Sequence, residues 1–185
     1  MEYPLIGTVR QILDGPIVPA DIDGRDELTG AYDTKSGVLR LDEEARRALR
    51  FRHSLSCFIL EVDGLKAVAE THGHRRAECV IQDIGTILRH SVRSTDVVCR
   101  LDAERFLLIT PRLDAPSAQA VSERIRQRVH RHRFPVPGSV ALALTVSVGV
   151  AATAGPGSGA ETLIQRSMDA LQAAQSAGGD RVALG

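Results

Sequence analysis

Six charged side chains crowd one short stretch of this chain. Residues 93–111 read RSTDVVCRLDAERFLLITP, where the apolar runs VVCRL and FLLIT flank a polar centre, Asp102-Ala103-Glu104-Arg105, with Arg93 and Asp96 just upstream. Two further acids, Glu61 and Asp63, close the apolar run SLSCFILEV. Carboxylates meeting at strand ends beside a turn are one way to build an oxygen-ligand site for magnesium. Charged residues also mark where strands leave a core, and spacing alone favours that plainer reading.

Arg93-x-x-Asp96 offers different chemistry: a planar guanidinium for phosphate, and a carboxylate for the donors on a base edge. The pattern itself is weak. Roughly 1.5 such matches arise by chance in a chain of this composition, and the sequence has two, the other running from Arg166 to Asp169. His72 and His74 flank Gly73. No further zinc ligand stands at a telling distance from them, and a helix-ending turn explains both. No serine or cysteine sits in a nucleophile-elbow context.

The elements that position these residues follow from apolar periodicity. SLSCFILEV (54–62) predicts a strand buried on both faces. A charged helix runs from Leu41 through DEEARRALRFRH, with Ala45, Ala48 and Leu49 on one side, and GLKAVAETHG is a short helix ended by Gly73. Val80, Ile81, Ile84, Ile87, Leu88 and Val92 have helical spacing over Arg75 to Val92. The charged stretch reads as a hairpin, although a tight turn usually wants Gly or Asn where Asp102 and Ala103 stand.

Beyond the hairpin, Ser117 is positioned to cap a helix carrying Val121, Ile125 and Val129 inward. VALALTVSVGVAAT (140–153) predicts a long strand, TAGPGSGA a loop, ETLIQRSMDALQAAQSA a last helix, and GGDRVAL a short edge strand. Residues 1–25, rich in turn signals, read as an extension with little regular structure. Its Leu5, Ile6, Val9, Ile12 and Leu13 are free to pack on a partner or on the domain itself. Strands separated by helices and one hairpin imply an α/β fold with a mostly antiparallel or mixed sheet covered by helices. No G-x-G-x-x-G follows the first strand, so a dinucleotide-binding fold is disfavoured.

The chain has 185 residues, 43% of them hydrophobic, enough for one domain with a real core. Its net charge of zero argues against a general nucleic-acid or membrane-surface binder. No apolar run approaches the ~18 residues of a membrane helix, and the N-terminus does not read as an export signal. Cys57, Cys79 and Cys99 lie in apolar runs without C-x-x-C spacing, as reduced cytosolic thiols do. Lys35 and Lys66 are the only lysines among 23 basic residues. Codon usage explains so strong a preference for arginine, and abundance alone implies no anion site.

Taken together, DELTGAYD (26–33), LEVDGLK (60–66), THGHRRAE (71–78) and CRLDAERFLLITP (99–111) resemble, in order, the motifs of the GGDEF family of bacterial second-messenger signalling. SERIR, LTVSVGVAA and ALQAAQSAGGDRV continue the match, which spans about Asp26 to Val182. The resemblance implies a palm-like α/β domain of βααββαβ topology over residues 26–185, related to diguanylate cyclases. It also shows where this chain departs from the pattern. Asp102 and Ala103 replace the two glycines against which the substrate GTP lies, and an anion and a methyl group are unfavourable there. Glu104 keeps one metal-binding acid, Arg105 replaces the acid after it, and Glu61 stands for the other metal ligand, normally Asp. One extra methylene moves a ligand by more than about 1 Å, which can cost on the order of a hundredfold in rate.

Ala69 takes the place of the guanine-reading Asn, Glu78 that of its partner Asp, and Gln175 and Gly179 those of the phosphate-clamping Lys and Arg of the last helix. Lys66 remains. The resemblance thus implies a catalytically degenerate domain that needs no cofactor, with at most weak magnesium binding at Glu61 and Glu104. Arg93 and Asp96 fall at the family's R-x-x-D product site, and Arg124 in SERIR matches its second arginine. The expected ligand is cyclic di-GMP, with a protein partner or a second copy reading out the signal. The rival expectations are a weak cyclase joining two GTP molecules and a ligand-free interaction scaffold.

Overall fold

The computed structural model describes residues 3–16, 23–153 and 159–185. Among the described residues, six helices and five strands follow in the order α1 (Pro4–Asp14), α2 (Thr34–Phe51), β1 (Leu55–Asp63), α3 (Leu65–His72), α4 (His74–Arg89), β2 (Val97–Arg100), β3 (Arg105–Pro111), α5 (Ala115–Arg131), β4 (Thr145–Ala152), α6 (Ala160–Ser176) and β5 (Val182–Leu184). The sheet order is β2-β3-β1-β4-β5, with β1 in the centre. β1 runs antiparallel to β3 and β4, β2 antiparallel to β3, and β5 parallel to β4.

Side chains alternate across a strand, so β1 feeds two cores. Phe58, Leu60 and Val62 pack with α3, α4 and α5 through Val68, Ile81, Ile84, Ile125 and Val129. Leu55, Cys57 and Ile59 pack with α1, α2 and α6 through Ile6, Val9, Val38, Leu41, Leu163 and Ile164. Burial on both faces accounts for the unbroken apolar run that marks β1 in the sequence. Cys57 and Cys99 are buried and Cys79 is half-buried, all three as free thiols. Among the described residues, no helix is long and apolar enough to cross a membrane.

The structure corrects the sequence reading at several points. The supposedly irregular N-terminal segment contains α1, whose Leu5, Ile6 and Val9 are buried in the second core while Ile12 and Leu13 pack beside it. Those positions have helical spacing, and Pro4 suits a first helical turn, where its missing N–H costs nothing. The remainder of that segment's turn-rich part, residues 17–22, and the centre of the TAGPGSGA loop lie outside the described residues.

Helix α2 begins at Thr34, seven residues before Leu41. Asp33 caps it by accepting from the Ser36 N–H at 2.7 Å. Gly37 disguises this turn as loop, yet a Cβ there would lie 2.3 Å from Cys99 Sγ, so glycine lets the helix approach β2. Leu49, expected inward, is 55% exposed. Helix α4 stops at Arg89, short of Val92. Asp114, not Ser117, caps α5, because its carboxylate accepts from the Ser117 N–H at 3.0 Å. The long strand is cut to Thr145–Ala152, since Leu142 exchanges backbone hydrogen bonds with Phe134 at 2.8 and 3.0 Å instead.

Candidate functional site

Leu101 donates its N–H to Arg105 O at 2.9 Å, closing a turn of three residues at the hairpin tip. Non-glycine residues with positive φ are confined, among the described residues, to Arg52, Arg112 and Asp180, so this turn needs neither Gly nor Asn. What it needs is a cap. Asp102 Oδ1 accepts from the N–H groups of Glu104 and Arg105, each at 3.0 Å. Its Oδ2 accepts from Arg105 Nε at 2.8 Å and Nη2 at 2.5 Å. Successive turn N–H groups form a concavity suited to an anion, and here the chain's own carboxylate fills it. Arg100 supports the turn from below, donating from Nε to Asp102 O at 2.9 Å and pairing with Asp26 at 3.0 Å. Burial raises the Asp26 carboxyl pKa, but bonds from Thr29 and the Arg100 charge outweigh it and hold the group below its ordinary value.

Glu61 lies near the end of β1, directly opposite Arg105 on β3. Burial pushes its carboxyl upward, against the hydrogen bond from Gln175 and the charge of Arg105. That bond, Gln175 Nε2 to Glu61 Oε1 at 2.5 Å, joins α6 to β1 where the family resemblance expects a phosphate clamp. Gly179, the second clamp position, lies beyond the end of α6. It adopts φ 71° in a turn whose next residue, Asp180, donates its N–H to Asp63 Oδ2 at 3.1 Å. Asp63 also accepts from Thr145 Oγ1 at 2.6 Å and Ser147 Oγ at 2.7 Å. It therefore ties β1 to β4 and the last turn rather than joining an open metal site.

Lys66 points into solvent on α3, 4.0 Å from Glu70. Ala69 packs against the first core, and Glu78 is exposed on α4. His72 and His74 are exposed around Gly73, which ends α3 and starts α4 at φ 85°. Among the described residues, no three His, Cys, Asp or Glu side chains form a group able to hold a metal ion. Magnesium fits this donor set poorly, because Asp102 and Glu61 already accept from protein donors and Arg105 stands beside both.

Arg93, Asp96 and Arg124, by contrast, line one cavity of about 110 Å³, together with Ser91, Val92, Thr110, Pro111, Leu113 and Val121. Asp96 Oδ2 accepts from the Arg93 backbone N–H at 2.8 Å, and the Asp96 N–H donates to Arg93 O at 3.1 Å. Partial burial pushes the Asp96 carboxyl upward, opposed by that hydrogen bond and by the Arg93 charge. Arg124 reaches from α5 to donate from Nη2 to Ser91 O at 3.0 Å. One helical turn on, Arg128 donates to His90 O and Ser91 Oγ, each at 2.9 Å. Sequence reasoning missed Ser91 and Arg128. The i, i+4 spacing of the two arginines was the available signal.

The sheet order and the acid-bearing hairpin beside β1 define a palm-like α/β domain. The family model "Diguanylate cyclase, GGDEF domain" matches residues 24–181, and the chain belongs to this family. Response regulator PleD of Caulobacter vibrioides is 32% identical over 104 residues, which are 56% of this chain and 23% of PleD. Diguanylate cyclase A of Treponema denticola is 30% identical over 78 residues, or 42% of this chain and 21% of that protein. The matched stretch thus spans less than a quarter of either relative's length. Diguanylate cyclase SiaD of Pseudomonas aeruginosa, solved in complex with its activator SiaC, superposes with a TM-score of 0.84 at 31% identity over 90% of this chain and 63% of that one. The GGDEF domain of DgcB from Caulobacter crescentus, solved in complex with c-di-GMP, gives 0.83 at 24% identity over 92% and 98%, a likeness of fold.

Proposed function

We propose that this GGDEF domain has lost cyclase activity and serves as a cyclic di-GMP-binding regulatory module through Arg93, Asp96 and Arg124. The observation that carries the reading is the Arg93 guanidinium. It has no hydrogen-bond partner among the described residues, yet it lines the same cavity as the anchored Arg124 and the half-buried Asp96. A free planar fork beside a fixed one suits a ligand with phosphates, which accept bidentate bonds, and bases, whose faces stack on guanidinium. Asp96 Oδ1 remains to accept from a guanine Watson–Crick edge.

The cavity is smaller than the ~300 Å³ usual for an enclosed ligand, so cyclic di-GMP would lie across its mouth. Loss of turnover follows from chemistry at the other end of the hairpin. Asp102 occupies the turn's anion-binding N–H groups, Ala69 offers guanine no hydrogen bond, and Gln175 and Gly179 bring no positive charge for a triphosphate. A weak cyclase held together by Glu61, Glu104 and magnesium is the rival reading. A scaffold working through the N-terminal apolar residues loses support, because Leu5, Ile6 and Val9 are buried in the domain's own core.

Calorimetry on the whole chain tests the proposal, with cyclic di-GMP against GTP as ligands and wild type against Arg93→Ala. Saturable binding of cyclic di-GMP that depends on Arg93, with no product formed from GTP and magnesium, is expected. Binding indifferent to Arg93, or turnover of GTP, would overturn it.

A further inference from the structure

The hairpin tip and β1 place Asp102 and Glu104 within electrostatic range of the Glu61 carboxylate, and all three stand at or beside positions where the resemblance expects a cation. Such a cluster repels itself unless a positive charge or hydrogen-bond donors stand among its members. Here the charge is covalently attached. Arg105 projects from β3 at the register position of Glu61, and its guanidinium grips Asp102 Oδ2 through Nε at 2.8 Å and Nη2 at 2.5 Å. Its Nη1 lies 3.7 Å from Met168 Sδ on α6.

The lone pairs of Asp102 are spent. An ionised carboxylate has about four acceptor sites. Asp102 uses its sites on the N–H groups of Glu104 and Arg105 and on Nε and Nη2 of Arg105. Glu61 gives Oε1 to Gln175. A divalent ion held by one or two carboxylates would have to take Glu61 Oε2 against the Arg105 charge that already acts on this carboxylate.

We propose that Arg105 is a resident cation: a side chain that takes over the charge-balancing role of a divalent ion among these carboxylates and holds the hairpin tip in place beside Glu61 of β1 and Met168 of α6 without metal. The former metal region then acts as a structural clasp, independent of whether the Arg93 cavity binds its ligand.

Thermal unfolding of the whole chain without nucleotide, in chelator and in excess Mg²⁺ or Mn²⁺, tests this. Wild type should melt at the same temperature in each. Arg105→Gln should melt roughly 2–6 °C lower in chelator and regain at least half of that loss with metal, as the vacated cluster admits the ion. Arg105→Lys keeps the charge without the fork, and should be destabilised yet stay indifferent to metal. Metal-dependent melting of wild type, or a destabilised Arg105→Gln that metal does not rescue, would overturn the proposal. If that variant does not fold, Mn²⁺ titration of wild type followed by electron paramagnetic resonance decides, since saturable binding contradicts a resident cation. Cyclic di-GMP affinity should be unchanged in Arg105→Gln and Arg105→Lys, which keeps failure of the clasp distinct from failure of the ligand site.

Discussion

The β2–β3 hairpin and the loop leading into it carry one arginine–aspartate pair each, both spaced by three residues and opposite in order. In Arg93-x-x-Asp96 the acid comes last and reaches back to the Arg93 backbone N–H at 2.8 Å, leaving the guanidinium free. In Asp102-x-x-Arg105 the acid comes first, caps the N–H groups ahead of it, and is gripped by the guanidinium at 2.5 Å. The same two side chains therefore make an open surface at one end and a closed clasp at the other. Order matters because an aspartate accepts most readily from the N–H groups two and three residues ahead. That geometry brings the tip's acid and base together, and in the upstream pair it is not available.

Removing each arginine in turn, the one without a side-chain hydrogen bond among the described residues and the one gripped by Asp102, separates the two pairs through their effect on the ligand. Arg93→Ala should weaken cyclic di-GMP binding by about 10- to 100-fold, the loss of one or two charge-assisted bonds, whereas Arg105→Ala should leave affinity unchanged. Calorimetry on the two variants reads this directly. Equal losses would mean that the two ends of the hairpin are not functionally separate. Arg124→Ala ranks next, at roughly tenfold, because its guanidinium already donates to Ser91 O and has fewer N–H groups to offer.

Stability should show the reverse ranking. Asp102→Ala deprives two turn N–H groups and Arg105 of their acceptor, and should cost about 1–2 kcal/mol after allowance for solvent screening. Denaturant unfolding measures it. Asp96→Ala removes a single backbone acceptor and relieves a partly buried carboxylate, so it should cost less than Asp102→Ala. A larger loss at Asp96 would make the open pair the structural one.

Much of this arrangement was legible before the structure, though unevenly. The run SLSCFILEV announced a strand buried on both faces because sheet burial writes itself as unbroken hydrophobicity. Motif order grouped Arg93 and Asp96, on one loop, with Arg124 of α5, and the three line one cavity. Helix α1 was hidden because Pro4 and Gly7 look like turn residues, although five apolar positions had helical period. The start of α2 was hidden because Gly37 is explained by the distant Cys99, a contact that no local pattern contains. The Asp102–Arg105 clasp and the Gln175–Glu61 bond were equally invisible, since both depend on where side chains meet after folding.

The smallest effect tests whether the clasp's acids are accommodated or merely tolerated. Burial raises the Glu61 carboxyl above its ordinary value. A raised folded-state value contributes stability below the unfolded value of about 4.3, and that contribution is lost as pH rises through the folded one. Glu61→Gln keeps an oxygen to accept from Gln175 and has no charge to desolvate. The variant should match wild type in acid and exceed it at neutral pH by a fraction of a kcal/mol, given the screening of a half-buried group.

Glu123, beside Arg124, supplies the opposite sign. The bonds from Arg126 hold its carboxyl down at about 2. Its contribution is therefore present above the ordinary carboxylate value and lost as pH falls toward 2, so Glu123→Gln should be less stable than wild type at neutral pH and converge with it in acid. Urea melts of both variants across this range give two curves of opposite slope if burial governs Glu61 and ion pairing governs Glu123. Parallel curves would mean that Arg105 stabilises the Glu61 charge as fully as Arg126 stabilises that of Glu123, making the clasp a strong ion pair on both sides.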